Sequence, residues 1–283
     1  MKINLAKSAG FCFGVKRAIE IALRTPSQGK KVYMFGDIVH NEEVAEQISK
    51  AGVKKVQKLS GGKGRIFLIR SHGISSLLLE KAKRLGYEIV DATCPMVKEI
   101  HKIAKESERK NYTVIVIGDK RHDEVQGIIG QLKTRAVVIE NERQIPWHKI
   151  KKIRKAHVLV QSTQNLQRVL KIVGILKQRI NELKFYNTIC QPTRIKQEEI
   201  NHMPKENDVM IIIGSKTSAN TRGLYEISKA INKNTYWIRS AKKVKPKWFK
   251  NVKSVGITAG ASTPDYTTQR VINYIKQIVP PVS

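Results

Sequence analysis

The sequence predicts an α/β protein made of three similar lobes, each with a small, mainly parallel sheet. Continuous apolar runs alternate with helix-like segments along the chain, which is typical of parallel strands covered by helices on both faces. Three cysteines, Cys12, Cys94 and Cys190, divide the 283 residues into near-equal parts, and each follows an apolar run. Since the same order recurs three times, we predict a pseudo-threefold arrangement of the lobes around a common centre.

The first predicted lobe spans residues 1–95. Its N-terminal strand leads to Cys12 and then to a helix over 15–23, where apolar residues recur at helical spacing. Two further strands end in polar sequences that contain His40 and His72. The strands predicted in this lobe are 3–6, 31–35, 65–69 and 87–90.

The second predicted lobe spans residues 96–192. A helix is expected to begin at Pro95, because proline suits the first turn of a helix. Two of the strand ends in this lobe carry Glu124 and Thr163, and a third strand leads to Cys190. The strands predicted here are 113–117, 157–160 and 183–186.

The third predicted lobe, residues 193–283, includes the C-terminal tail. It opens with a polar helix over 193–201. Its first strand runs into a sequence rich in small and hydroxyl residues over 214–221, and its second ends near Ser262. The strands predicted here are 209–213 and 254–258. Because ligands of parallel sheets collect at the carboxyl ends of the strands, these polar ends are the candidate site.

The composition indicates a globular protein, with 41% hydrophobic residues and a net charge of +30. No apolar run is long enough to span a membrane and none follows the start as a signal peptide would, so we expect a cytoplasmic protein. The charge suggests nucleic-acid binding, but the basic runs lack interleaved aromatic residues or a groove-reading motif. A basic nucleic-acid-binding or scaffold protein with a structural metal site remains the alternative function.

The three cysteines are predicted to lie where a strand passes into a helix. The positive end of a helix dipole and its unpaired N–H groups favour a thiolate at such a position. Three thiolates from distant loops are suited to zinc or to an iron–sulfur cluster, and the wide spacing disfavours a structural zinc protein. A cubane cluster with three cysteine ligands would leave one iron open to a substrate oxygen.

The polar strand ends contain donors with little negative charge nearby, as binding of an anionic head group requires. These donors are His40, His72, Ser218, Asn220 and Ser262. Glu124 lies in the sequence His-Asp-Glu, where a nearby anion would raise its proton affinity, so it is a candidate proton donor. The simpler alternatives are a first-turn helix charge for Glu124 and a helix N-cap for Thr163.

Six motifs, in their order and spacing, resemble the 4-hydroxy-3-methylbut-2-enyl diphosphate reductase family. The resemblance runs from residue 3 almost to the C-terminus. The motifs are Gly10-Phe11-Cys12-Phe13-Gly14-Val15, Ile38-Val39-His40-Asn41, Arg70-Ser71-His72-Gly73, Asp91-Ala92-Thr93-Cys94-Pro95, His122-Asp123-Glu124 and Thr258-Ala259-Gly260-Ala261-Ser262-Thr263-Pro264-Asp265.

The resemblance implies the last step of the non-mevalonate isoprenoid pathway. In that step (E)-4-hydroxy-3-methylbut-2-enyl diphosphate loses its allylic hydroxyl and gives isopentenyl and dimethylallyl diphosphate. The lobes would surround one 4Fe-4S cluster held by the three cysteines, with one open iron for the substrate hydroxyl. Glu124 would be the proton source, and Thr163 would position the hydroxyl and Glu124. The implied diphosphate ligands are His40, His72, His122, Ser218, the backbone of Ala219, Asn220 and Ser262.

The basic surface suggests an acidic flavodoxin or ferredoxin as electron donor. The sequence also departs from the pattern usual in the family. Asp123 replaces proline, Ser162 replaces threonine, and Ala219 lacks a hydroxyl that would give the diphosphate one more hydrogen bond. The other departures are Thr217 and the pair Gln191-Pro192 after the third cysteine.

Overall fold

The computed structural model describes residues 1–279, so residues 280–283 of the predicted tail lie outside the described part of the chain. The chain divides into two compact units. The first unit contains Met1–Val15, His40–Val44 and the chain from Gln191 onward. The second contains Lys16–Val39 and Ala45–Cys190.

The described residues form twelve strands and ten α-helices, with short 3-10 helices between some of them. The strands are β1 Lys2–Leu5, β2 Lys31–Phe35, β3 Val53–Val56, β4 Arg65–Ile69, β5 Glu88–Asp91, β6 Thr113–Ile117, β7 Val137–Ile139, β8 Lys155–Val160, β9 Glu182–Phe185, β10 Val209–Ile213, β11 Thr235–Ile238 and β12 Ser254–Ala259. The helices are α1 Phe13–Arg24, α2 Glu42–Lys50, α3 Ser76–Arg84, α4 Pro95–Arg109, α5 Asp123–Ile129, α6 Trp147–Ile150, α7 Leu166–Lys177, α8 Gln191–Glu206, α9 Ala219–Ile231 and α10 Asp265–Ile278.

The strands form three four-stranded sheets whose pairings are all parallel, which confirms the predicted α/β class with three sheets. The second unit contains two sheets, with orders β3-β2-β4-β5 and β7-β6-β8-β9. The first unit contains the sheet β1-β12-β10-β11. Each sheet therefore has the same order, in which the strand that leads to a cysteine forms one edge.

The N-terminal strand differs from its predicted place in the first lobe. β1 pairs with β12, with Lys2 opposite Ser254 and Leu5 opposite Ile257. It thus completes the sheet formed by the last third of the chain, and it occupies the edge that β5 and β9 occupy in the other two sheets. A lone strand can satisfy its backbone groups only by joining a sheet, and the open edge of β12 offers that partner. The boundaries at Pro95 and Pro192 stay predictions.

All nine predicted strands are present, with bounds that differ by at most two residues. The central strands are rich in apolar residues, and every residue of β10 is apolar and buried. In the sheet around β6, the buried side chains of Ile115 and Val158 pack in one cluster with Ile172 of α7. Helices thus cover the apolar faces of the strands, and the polar carboxyl ends stay available for function.

Three strands were not predicted, namely β3, β7 and β11. They lie at the outer edge of each sheet, and β3 has two exposed lysines at its centre. β7 has only three residues and β11 four, so their apolar runs are too short to distinguish a strand from other buried segments. In the described part of the chain no helix has the length and apolar character needed to cross a membrane.

Candidate active site

Each cysteine lies directly before a helix, as predicted. Cys94 is the N-cap residue of α4, with Pro95 in the first turn, and Cys12 and Cys190 immediately precede α1 and α8. The backbone N–H of each cysteine donates to the carbonyl of a residue that follows the neighbouring strand of its own sheet. These bonds are Cys12 N to Ala261 O at 3.2 Å, Cys94 N to Ser71 O at 2.9 Å and Cys190 N to Ser162 O at 3.1 Å.

The local setting of each cysteine suits a metal thiolate. All three side chains are half-buried, and none forms a disulfide. The helix that follows each cysteine places N–H groups and the positive end of its dipole near the sulfur, which stabilises the thiolate that iron or zinc requires. Soft thiolate donors on well-anchored loops therefore fit an iron–sulfur cluster.

Glu124 lies in the first turn of α5, but its side chain turns into the protein and is only 2% exposed. Its two carboxylate oxygens accept hydrogen bonds from Ser162, one from the backbone N–H at 2.6 Å and one from the hydroxyl at 2.8 Å. Burial raises the pKa of Glu124, and the two bonds from Ser162 partly oppose that rise. Glu124 is thus a buried carboxyl group with increased proton affinity, which the role of a surface helix charge does not explain.

Thr163 is positioned by its neighbour Gln161, whose side chain is fully buried. The Gln161 amide donates to Thr163 Oγ1 at 3.0 Å, and its carbonyl oxygen accepts from the backbone N–H of Asp119 at 3.0 Å. Because Thr163 accepts this bond, its own hydroxyl proton is available for another acceptor. The N-cap of α7 is Asn165, so the alternative of Thr163 as the cap is wrong.

Two of the predicted histidines meet in the second unit. The rings of His72 and His122 are 5.5 Å apart between centroids and nearly perpendicular, at 88°. His122 is the N-cap of α5, and its Nδ1 accepts from the Glu124 N–H at 3.1 Å. A neutral His122 therefore carries its proton on Nε2, which makes that nitrogen the donor toward an anion.

Asp123, which replaces the usual proline of the resembled family, forms an ion pair with a residue of the His72 motif. Arg70 Nη1 lies 2.5 Å from Asp123 Oδ2, and the Arg70 side chain is 11% exposed. The pair links the end of β4 to the start of α5. Proline would suit the first position of α5 but would leave the arginine without this acceptor.

In the first unit, predicted anion ligands gather at the start of α9. Ser218 is the N-cap, and its hydroxyl oxygen accepts from the Thr221 N–H at 3.3 Å. Asn220 is 6% exposed, and no described residue accepts a hydrogen bond from its Nδ2. A buried amide donor without a partner at a helix N-terminus is suited to an anionic ligand.

The loop before α9 depends on Gly214. Its φ is +152°, a backbone conformation that residues with L side chains rarely adopt. A Cβ at this position would lie 2.6 Å from Thr221 Oγ1.

Elsewhere in the first unit, the Ser262 hydroxyl donates to the His40 carbonyl at 3.1 Å, which joins the end of β12 to the His40 segment. Ser218 and Ser262 are thus each held by a hydrogen bond to the backbone.

The sequence did not single out three residues that the structure places at the site, namely Ser162, Gln161 and Lys196. Ser162 had been noted only as a departure from the family pattern. Lys196 is buried beside the Cys12 loop, but it is one of 53 basic residues and no local pattern marks it. Their roles depend on contacts between distant segments, which a single sequence does not contain.

Comparisons with known proteins show the family to which the chain belongs. The family described as LytB protein matches residues 3–276. The 4-hydroxy-3-methylbut-2-enyl diphosphate reductase of Aquifex aeolicus (strain VF5) is 41% identical over 281 residues, covering 98% of this chain and 96% of that protein. The reductase of Geotalea uraniireducens (strain Rf4) is 38% identical over 278 residues, covering 98% of each chain.

Two solved structures are also similar. One is (E)-4-hydroxy-3-methyl-but-2-enyl diphosphate reductase, described as the terminal enzyme of the non-mevalonate pathway; it is 39% identical with a TM-score of 0.72, and the match covers 98% of this chain and all of that one. The other is the E-1-hydroxy-2-methyl-but-2-enyl-4-diphosphate reductase from Plasmodium falciparum, with 28% identity and a TM-score of 0.90 over 99% of this chain and 89% of that one. None of these matches supports the alternative of a nucleic-acid-binding scaffold.

Proposed function

Because this chain belongs to the LytB family, we propose that it reduces (E)-4-hydroxy-3-methylbut-2-enyl diphosphate to isopentenyl diphosphate and dimethylallyl diphosphate. The reaction takes up two electrons and two protons and releases the allylic hydroxyl as water. It is the last step of the non-mevalonate route to isoprenoids. The observation that carries the proposal is the common setting of three cysteines, each anchored to its own sheet at the start of a helix.

The family is an iron–sulfur family, and the donor set of this chain fits such a group. Cys12, Cys94 and Cys190 would hold one 4Fe-4S cluster, with one iron left without a protein ligand. When bound, the cluster supplies the electrons and a Lewis-acidic iron for the departing hydroxyl. The three anchored N–H groups support this assignment, because they fix the backbone from which each sulfur extends.

Glu124 is the proton source in this proposal. Its buried carboxyl group holds a proton more readily than an exposed one, and Ser162 keeps both oxygens in a fixed orientation. Thr163, whose oxygen accepts from Gln161, directs its own proton toward the substrate hydroxyl. The pair thus delivers a proton and orients the group that leaves.

In this proposal the diphosphate ligands are the donors that end the strands and begin the helices. In the second unit these are His72 and His122, the latter through Nε2. In the first unit they are His40, Ser218, the backbone N–H of Ala219, Asn220 and Ser262. The unsatisfied Nδ2 of Asn220 and the helix dipole of α9 support the anion-binding role.

The electron donor in this proposal is an acidic flavodoxin or ferredoxin. A net charge of +30 would attract such a carrier and speed its encounter with the protein. The charge itself is not specific for one donor. Flavodoxin and ferredoxin are two carriers with the acidic character that the basic chain would attract.

Anaerobic reconstitution tests the cofactor and the reaction together. We expect about four irons and four sulfides per chain, broad visible absorption, and both products when a strong reductant is supplied. Replacement of Cys94 by serine should reduce the iron content and abolish turnover. A colourless wild-type protein without iron after reconstitution, or a cluster-loaded protein that leaves the substrate unchanged, would contradict the proposed function.

The role of Glu124 has its own test. Glu124→Gln preserves shape and should retain the cluster and the affinity for substrate, but turnover should fall by at least about 100-fold because the proton source is lost. Glu142→Gln is the matched control, because Glu142 is exposed and outside the proposed site. Equal turnover in Glu124→Gln and wild type would remove Glu124 from the mechanism.

A further inference from the structure

Lys196 of α8 is a buried cation in contact with the loop that carries Cys12. Its side chain is 3% exposed. The ammonium group donates to the carbonyls of Ser8, Gly10 at 3.1 Å and Ala259 at 3.2 Å. Three carbonyl acceptors match the three N–H donors of a charged lysine, whereas a neutral amine has only two. The geometry of the loop thus calls for the ammonium form.

Glu199, one turn further along the same face of α8, binds the donors of the same loop. Its carboxylate accepts from the backbone N–H of Lys7 at 2.5 Å and of Ser8 at 3.1 Å, and from the Ser8 hydroxyl at 2.5 Å. The cation therefore binds the carbonyls of the loop and the anion binds its N–H groups. We call Lys196 and Glu199 the α8 clamp.

The loop that the α8 clamp holds has little freedom to change shape. Gly10 has a φ of +92°, and a Cβ at this position would lie 2.3 Å from Asp265 Oδ1. On the other side, the Cys12 N–H is bonded to Ala261. A loop confined at both ends keeps the position of Cys12 relative to Lys196.

The two charges of the clamp have different environments. Burial lowers the pKa of Lys196 to about 8, while the thiolate of Cys12, Glu199 and Asp265 each oppose this shift. Lys196 is thus within electrostatic reach of Cys12. Glu199 is half-buried and Asp265 is exposed, so water screens their charges more than the charge of Lys196.

We propose that Lys196 is a positioning residue that fixes the Cys12 loop and places a positive charge beside this ligand, so that the bound cluster is easier to reduce. The inference rests on the proposed function, since it assumes that Cys12 is a cluster ligand. Net charge and hydrogen bonding around a cluster set its reduction potential, and a nearby cation stabilises the form with one more electron. Glu199 should act in the opposite direction.

The test is the reduction potential of the reconstituted cluster, measured by anaerobic titration. Lys196→Met, which removes the charge and keeps the length, should shift the potential to more negative values. Lys196→Arg should stay close to wild type. Lys205→Met is the matched control, because it removes the same charge from an exposed position on the same helix, and it should leave the potential unchanged.

A second variant separates the charge effect from simple loosening of the loop. Glu199→Gln also weakens the clamp, but it removes a negative charge and should shift the potential to less negative values. Opposite shifts in Lys196→Met and Glu199→Gln support the inference. Where Lys196→Met yields too little folded protein, a shift to less negative values in Glu199→Gln supports it, and no shift in Glu199→Gln overturns it. Unchanged potentials, or shifts of one sign in both variants, would overturn it and leave the proposed function intact. A wild-type protein that binds no cluster would overturn both.

Discussion

At the scale of single residues, the burial of Glu124 predicts a dependence of stability on pH. Its folded pKa is raised above the usual value of 4.5, so folding favours the protonated form. The contribution of this group to stability is complete below the unfolded pKa and is lost as the pH rises through the folded pKa. Glu124→Gln cannot ionise, so its free energy of unfolding should exceed that of wild type increasingly as the pH rises.

Denaturant unfolding of both proteins from mildly acidic to mildly alkaline pH measures this difference. Glu142→Gln should show no such trend, since Glu142 is exposed. A constant difference between Glu124→Gln and wild type across the range would mean that Glu124 has the same pKa in the folded and unfolded states.

Ser162 predicts a shift in the pH dependence of turnover. Its hydroxyl bond lowers the pKa of Glu124, so Ser162→Ala should raise that pKa further. Because the proposed proton donor must be protonated, the decline in rate at high pH should move to higher pH. Ser162→Thr restores the residue usual in the family and keeps the hydroxyl, so its pH–rate profile should match wild type. An unshifted profile in Ser162→Ala would contradict the link between the two residues.

At the scale of elements, the start of α9 combines a helix cap with the proposed anion site, and two substitutions of Ser218 separate these two roles. Ser218→Ala should lower the free energy of unfolding by about 1 kcal/mol through loss of the cap. It should also raise KM roughly tenfold or more, since a hydrogen bond to a charged group contributes about 1.5–3 kcal/mol.

Ser218→Asp keeps a cap acceptor but places a negative charge where the diphosphate would bind. Its stability should stay near wild type while KM rises more than in Ser218→Ala. Unfolding curves and steady-state kinetics on the same samples provide both measurements. A normal KM in Ser218→Asp would exclude this helix start from the diphosphate site.

The elements also show where prediction from the sequence succeeds. Buried strands such as β6 and β10 are continuous apolar runs, and their bounds match the prediction. The edge strands β3, β7 and β11 are missed because β3 has two lysines at its centre and the apolar runs of β7 and β11 are only three and four residues long. β1 likewise joins its sheet by pairing with β12, and its position in the sequence does not predict which sheet it joins.

At the scale of the whole molecule, some candidate site residues can be predicted from the sequence and others cannot. The cysteines, Glu124 and the histidines were predicted from local motifs, because each lies at the end of a recognisable strand. Lys196 and Ser162 were not predicted from motifs. The position of Lys196 matters because of the loop that it binds, and that of Ser162 because of the carboxylate that it contacts. Motifs therefore indicate candidate site residues at strand ends, but not the residues that contact them from other segments.

The net charge of +30 predicts a strong salt dependence of electron delivery. The second-order rate of cluster reduction by an acidic flavodoxin should fall as ionic strength increases, because salt screens the attraction that steers the encounter. Reduction by an uncharged small molecule should change little. Stopped-flow measurements over a range of salt concentrations compare the two. A flavodoxin rate that is insensitive to salt would show that the basic surface does not guide this partner.

The pairing of β1 with β12 has a consequence for the order of events during synthesis. The strand that leads to Cys12 is made before the other two sheets, but its partner strand, with Ser254 opposite Lys2, is made after them. The sheets that lead to Cys94 and Cys190 are made from contiguous parts of the chain and can form earlier. Cys12 is therefore made before Cys94 and Cys190 but fixed in place after them, and we expect cluster insertion to follow synthesis of β12.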